Sequence, residues 1–315
     1  MELYNREQIS AVVRLDQDAL AAVEAGFRAL GEGSVVQPPI LSMPIEESNG
    51  EVDVKTAHIR GNDSFAIKVS PGFFDNPKLG LPSLNGLMIV FSAKTGLVEA
   101  VLFDEGYLTD VRTALAGAIA AKHLARPDSR RVTVLGAGVQ AELQVAALQL
   151  VRDIDTLDVW ARDRDRAQGY AERMRRDYGL NVNVHDDIAA ACRDADIIVT
   201  TTPAKQPILD GAHLPNGVHV TAMGSDSPDK RELDSSVMER ADAFVADTRA
   251  QSEHNGELKA YAGHAPPFEI FELGRVIASD QGPRTSPDQI TVCDLTGTGV
   301  QDTAIAGLAL SRLKG

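Results

Sequence analysis

Arg131-Val-Thr-Val-Leu-Gly-Ala-Gly-Val-Gln-Ala141 decides the fold. An apolar, β-branched run ends in G-x-G-x-x-A and passes straight into helical spacing over 140–150. In that context a glycine pair reads as a dinucleotide fingerprint. Gly136 permits the tight turn, Gly138 lets the backbone approach a pyrophosphate, and Ala141 allows close helix–strand packing. Ala137, Val139 and Gln140 complete a loop whose helix N-terminus favours an anion. Downstream, apolar runs at 157–160, 182–185, 197–201, 218–222, 244–246 and 290–294 alternate with helical patterns such as 166–178. The alternation predicts an α/β fold, a doubly wound parallel sheet of Rossmann type. The second strand ends near Ala161, with Arg162 next, where an acid commonly meets the ribose diol. An arginine there suits a 2′-phosphate, so the reading leans to NADP(H). NAD(H) stays open because Asp163 follows, and Arg162 also reads as a plain exposed loop charge.

Working outward, 315 residues provide for roughly two domains. Lys and Arg number 31 against 45 Asp and Glu, a net charge of −14 that repels phosphate backbones and argues against nucleic acid. Two cysteines, Cys192 and Cys293, cannot build a disulfide scaffold and fit a reducing cytoplasm. The polar start reads as no signal peptide, and the small apolar stretch 113–121 is too short to span a bilayer. No metal-ligand cluster, G-x-S-x-G or P-loop lysine motif occurs, so no metal is expected.

Before the fingerprint the pattern differs. Helical spacing covers 6–30, and strands follow at 52–59, 65–69, 86–91 and 97–103. The Pro- and Gly-rich stretch 70–85 reads as a shaped loop. Thr109 or Asp110 is expected to cap a helix through 113–124, ended by Pro127, with 126–130 as a linker. Arg112, at that expected helix start, opposes the helix dipole. It faces either a bound anion, which a guanidinium grips bidentately, or a neighbouring aspartate. Lys68 alternates with Phe65, Ile67 and Val69 and shares a face with Ala66. It is either a solvated lysine or a cation in a cleft that contacts substrate or shuttles a proton. Asp226, just past the strand at 218–222, is placed for general acid/base work or forms an Asx-turn before Pro228.

Six stretches in order and spacing make the chain resemble the ornithine cyclodeaminase/mu-crystallin family. They are Ala66-Ile-Lys-Val69, Tyr107-Leu-Thr-Asp-Val-Arg-Thr113, Val134-Leu-Gly-Ala-Gly-Val-Gln140, Thr200-Thr-Thr-Pro203, Met223-Gly-Ser-Asp226 with Glu232-Leu-Asp234, and Gly299-Val-Gln-Asp302. Val52-Asp-Val-Lys-Thr56, 68–77 and 295–303 look like the family's ectoine-utilization branch, whose relatives include iminosuccinate reductases. The resemblance implies a split substrate-binding and dimerisation domain, 1–125 with 300–315, around a dinucleotide domain, 126–299. It implies that Lys68 and Arg112 hold an amino-acid head, Arg112 also nearing the cofactor. It makes Asp226 the acid/base group beside a nicotinamide, Ser83 a candidate on the substrate or cofactor side, and Thr202 and Met223 candidates on the cofactor side. Many members carry an arginine before the first strand; here 34–55 has none. Lys55 is the only cation there, where ornithine cyclodeaminases resemble one another in having a carboxylate. That suits a second acidic group on the substrate.

The expected activity is therefore NAD(P)H-dependent reduction of a 2-imino acid to an L-amino acid, with iminosuccinate to aspartate as the best substrate. Two alternatives stand beside it: a cyclodeaminase or ammonia-lyase that borrows and returns a hydride, and a non-catalytic NADPH and small-ligand binder of mu-crystallin type. A homodimer in the cytoplasm is expected.

Overall fold

Alternation and capping build the first half of the chain. In the computed structural model, which describes residues 1–315, β1 (Glu2–Asn5) leads into α1 (Arg6–Val12). Asn5 accepts the Gln8 N–H at 3.0 Å, and the Gln8 side chain accepts from Asn5, a reciprocal cap. Asp16 caps α2 (Gln17–Gly31), accepting the Ala19 N–H at 2.8 Å. Then come β2 (Val35–Val36), β3 (Leu41–Ile45), β4 (Gly50–Ile59), β5 (Ser64–Phe73), β6 (Leu87–Ser92) and β7 (Val98–Phe103). They form one sheet in the order β1-β7-β6-β5-β4-β2, with β3 also on β4. β4 to β7 run antiparallel, and β1 joins β7 in parallel.

β5 corrects the expectation that 70–85 is wholly loop, because it continues through Pro71 to Phe73. β6 has ended by then: its last pair is Leu87 with Val69. The Pro71 carbonyl accepts the Asn85 N–H at 3.1 Å on that side, where no strand demands the missing proline N–H. α3 (Tyr107–Leu124) also starts earlier than expected. Asp104, not Thr109 or Asp110, supplies the capping carboxylate, accepting the Leu108 N–H at 2.8 Å. Arg112 thus stands in the second turn, where the helix dipole has largely faded.

The second half alternates as expected: β8 (Arg131–Leu135), α4 (Val139–Leu148), β9 (Thr156–Trp160), α5 (Arg164–Tyr178), β10 (Asn181–Val184), α6 (Ile188–Cys192), β11 (Ile197–Thr200) and β12 (His219–Ala222). Then α7 (Ser235–Arg240), β13 (Ala243–Ala246), α8 (Arg249–His254), β14 (Ile270–Glu272), α9 (Leu273–Ser279) and β15 (Thr291–Asp294) follow. Eight parallel strands lie in the order β10-β9-β8-β11-β12-β15-β13-β14. The order reverses direction between β8 and β11, the switch point at which such sheets bind ligands. Helices pack on both faces, so the inner strands are buried and mainly apolar, with a few buried polar residues such as Asp158, His219 and Asp294 among them.

α10 (Gly299–Lys314) closes the chain and packs on α2, β4 and β5. Two compact units result: Met1–Arg112 with Thr298–Gly315, and Thr113–Gly297. The first division lies inside α3, after Arg112, where the sequence put it after residue 125. In the first unit, the sheet face bearing Ala57, Ala66, Met88, Val90, Ala100 and Leu102 is buried. α10 comes close because the residues at the contact are small: a Cβ on Gly299 would lie 2.3 Å from the Thr56 carbonyl oxygen. Thr303 joins both strands, accepting the Ala66 N–H at 3.1 Å and donating to the Ala57 carbonyl at 2.7 Å.

Candidate functional site

Lys68 shares the buried face with Ala66, so it points into the first unit and is 2% exposed. Of the two readings of Lys68, the solvated strand lysine is thereby excluded. Lys55 on β4 is its direct cross-strand partner and is 7% exposed. Like charges directly opposite in a sheet repel, so this pair requires a compensating anion. Asp302, in the first turn of α10 and fully buried, provides one: Oδ1 lies 3.2 Å from Lys68 Nζ and 3.0 Å from Arg112 Nε. Arg112 is itself buried and donates from Nη1 to Gln301 Oε1 at 2.9 Å. Gln301 Oε1 also accepts the Thr298 N–H at 3.2 Å.

These contacts do not satisfy the cluster. The ion pairs are close but not aligned as hydrogen bonds, and both Asp302 oxygens, Arg112 Nε and Gln301 Nε2 are buried without a hydrogen-bond partner. Burial drives the Lys68 ammonium down to a pKa of about 7, and the charges of Arg112 and Lys55 push the same way against Asp302. Asp104 is also buried, and burial lifts its carboxyl to about 6 against the backbone N–H bonds that it accepts. Lys55 has a carboxylate of its own in reach, Asp53 at 3.9 Å. Lys68 and Arg112 thus share Asp302 while Lys55 faces Asp53, so three buried cations lie beside two carboxylates, a surplus of positive charge that burial makes costly.

The second unit holds the fingerprint. Gly136 has φ +132°, and a Cβ there would lie 2.5 Å from Thr201 Oγ1, so only glycine fits. Thr201 N–H donates to the Leu135 carbonyl at 2.9 Å, closing β11 onto β8. Gly138 precedes α4 without a side-chain cap, and a Cβ there would meet nothing within 4 Å. Uncapped donors facing open space at a switch point fit a dinucleotide pyrophosphate. Ala161 is half-buried and Arg162 exposed. Asp163 caps α5, its Oδ1 accepting the Asp165 and Arg166 N–H groups at 3.0 and 3.1 Å.

The ornithine cyclodeaminase/mu-crystallin family model matches residues 2–315. The chain belongs to this family. Among the relatives of this family member is a Rhizobium meliloti (strain 1021) protein named "Putative dehydrogenase RB0419". It is 52% identical over 99% of this chain and 95% of its own length. Among solved structures, the Thermococcus litoralis Delta(1)-pyrroline-2-carboxylate reductase in complex with NADH and L-proline superposes with a TM-score of 0.92. That pair shares 27% identity over 99% of this chain and 97% of the other. The iminosuccinate reductase of Paracoccus denitrificans in complex with NAD+ gives 0.88 at 27% identity, over 100% and 96% of the two chains.

In this family member the structure groups Lys55, Lys68 and Arg112 in the first unit. It places Gly136 to Gln140, Ala161, Arg162, Thr202, Met223 and Asp226 in the second. Ser83 lies in the loop after β5, its carbonyl accepting the Phe73 N–H at 2.7 Å. Met223 is buried at the end of β12. Thr202 is held by Glu232, which accepts its N–H at 2.5 Å and its hydroxyl at 2.7 Å. Asp226 is half-exposed and paired with Lys230 at 2.7 Å. No three His, Cys, Asp or Glu gather as metal ligands, and no helix is long and apolar enough to cross a membrane. Asp302 and Gln301 had no role assigned from sequence, and Asp104 was read only, with Asp110, as a neighbouring partner for Arg112. The available signal was an acid and an amide in the first turn of an otherwise apolar helix, and an acid three residues ahead of α3.

Proposed function

We propose that this protein is an NAD(P)H-dependent reductase of 2-imino acids and that a dicarboxylic imine, iminosuccinate, is its best substrate, giving L-aspartate. The enzyme class, an NAD(P)-dependent oxidoreductase acting on carbon–nitrogen bonds, is the one that its reductase relatives share. The observation that carries the finer reading is the buried triad Lys55, Lys68 and Arg112, with Arg112 Nε and both Asp302 oxygens beside it lacking aligned hydrogen bonds. Arg112 presents a planar fork to the substrate's 1-carboxylate, and Lys68 adds a point charge to the same head. Lys55 meets the second carboxylate. Asp302 holds Lys68 and Arg112 in place between turnovers. Asp226 carries the proton to and from the imine nitrogen, whose protonated form is the better hydride acceptor. When bound, the reduced nicotinamide supplies the hydride. Exposed Arg162 beside a committed Asp163 favours the 2′-phosphate of NADP(H) over a free diol.

A diamino acid places an ammonium where Lys55 stands, which the charges oppose, so the cyclodeaminase reading is set aside. A second copy of the chain covers the half-buried outer sheet face of the first unit. The test of the substrate is NAD(P)H absorbance with oxaloacetate plus ammonia against pyruvate plus ammonia. Faster loss with oxaloacetate is expected, and Lys55→Met should remove the difference. Equal rates, or loss with pyruvate alone, would refute the dicarboxylate assignment.

A further inference from the structure

Lys259 serves no part of the reaction as proposed, yet its single ammonium nitrogen meets four acceptors. Nζ donates to the carbonyls of Ser227 and Asn255 at 2.8 Å each, to the Lys230 carbonyl and to Ser225 Oγ at 3.1 Å. Ser225, Ser227 and Lys230 flank Asp226 on both sides, in a segment without helix or strand. The Ser227, Lys230 and Asn255 carbonyls, turned to one centre, would repel each other without a cation between them. The same centre orders other contacts: Ser225 Oγ donates to the Lys230 carbonyl at 2.9 Å, and the Lys230 N–H donates to the Ser227 carbonyl at 3.2 Å.

We infer that Lys259 is the positioning residue for Asp226, its ammonium filling a cage of three carbonyls and a hydroxyl of the kind that otherwise binds a monovalent cation. A lysine ammonium is a compact point charge with three rotatable donors, so it satisfies convergent carbonyls as a potassium ion does. Glu232 anchors the near end of the same segment, accepting the Gly224 N–H at 2.7 Å. The far end depends on Lys259. The catalytic consequence rests on the function proposed above; the cage does not.

The test compares wild type, Lys259→Ala and Lys259→Met by hydrogen exchange of the peptide covering 224–231, in potassium chloride and in tetramethylammonium chloride at equal ionic strength. Exchange in Lys259→Ala is expected to quicken by about tenfold or more, since local opening now releases the segment. Potassium should restore protection. Tetramethylammonium, too large for the cage, should not, and Lys259→Met, whose apolar stem fills the space, should not respond to either salt. In the imine assay kcat of Lys259→Ala should fall by about ten- to a hundredfold while NAD(P)H affinity holds within about twofold, the pattern of a misplaced acid/base group. Wild-type exchange of Lys259→Ala in tetramethylammonium chloride, or lost protection that potassium does not restore, overturns the inference. Should Lys259→Ala not fold, Lys259→Arg decides instead. Its wider planar head cannot converge on three carbonyls, so quickened exchange is expected and wild-type exchange overturns. A wild type that reduces no imine would refute the proposed reaction and leave the exchange result standing.

Discussion

Lys68 shows what a single side chain can and cannot disclose. Alternation put it with Ala66 and against Phe65, Ile67 and Val69, but left open whether its face meets solvent or a cleft. The structure buries that face. Helices need small residues to approach a sheet closely, so the Ala57 and Ala66 face is the one α10 covers, and the lysines are drawn inside with it. Arg112 was singled out through an expected clash with a helix start that lies elsewhere, although its burial beside Asp302 gives it an anion-facing environment. Because the free Lys68 ammonium titrates at about 7, binding of a dicarboxylate such as succinate should be level below that pH. Above it, binding should weaken by up to about tenfold per pH unit as the charge is lost. Calorimetry across pH 6 to 9 checks this, and Lys68→Arg should remove the break. The stability sign runs the other way. The unfolded lysine holds its proton to higher pH, so the cost of burying this cation is full below about 7 and is relieved as pH rises towards its ordinary value.

Elements were legible where their pattern was long. The alternation after residue 130 yields the parallel sheet, whereas β1, β2, β3 and β14 escaped notice because each is very short or broken by polar residues or proline and lies outside that alternating pattern. Pro71 disguised the end of β5, since a proline in a strand is tolerated only where no neighbour needs its N–H. The β8–α4 turn offers a paired prediction. Gly136→Ala forces a Cβ against Thr201 at positive φ and should cost about 1–3 kcal/mol of stability along with dinucleotide binding. Gly138→Ala meets no protein atom. Its melting temperature should therefore match wild type, while NAD(P)H affinity falls because the methyl occupies pyrophosphate space. Melting curves with and without NAD(P)H separate the two; a stability loss in Gly138→Ala would contradict the assignment of that space.

At the scale of the whole molecule, family membership and fold class were readable because the motifs run in order along nearly the entire chain. What covers the outer face of the first unit's sheet was not readable, because its apolar residues look like any other core strand. Ile67 and Ile89 are paired across β5 and β6 on that face, and Leu41 and Met43 of β3 are 60% and 50% exposed. An apolar face of this kind marks an interaction surface. Sedimentation should find wild type dimeric and Ile67→Glu monomeric; a monomeric wild type would contradict the dimer. The central claim is net reduction of an imine, and stoichiometry tests it most directly. With oxaloacetate and ammonia, the account predicts one L-aspartate formed for each NAD(P)H oxidised. Ammonia released from ornithine or another diamino acid with the nicotinamide unchanged would contradict it.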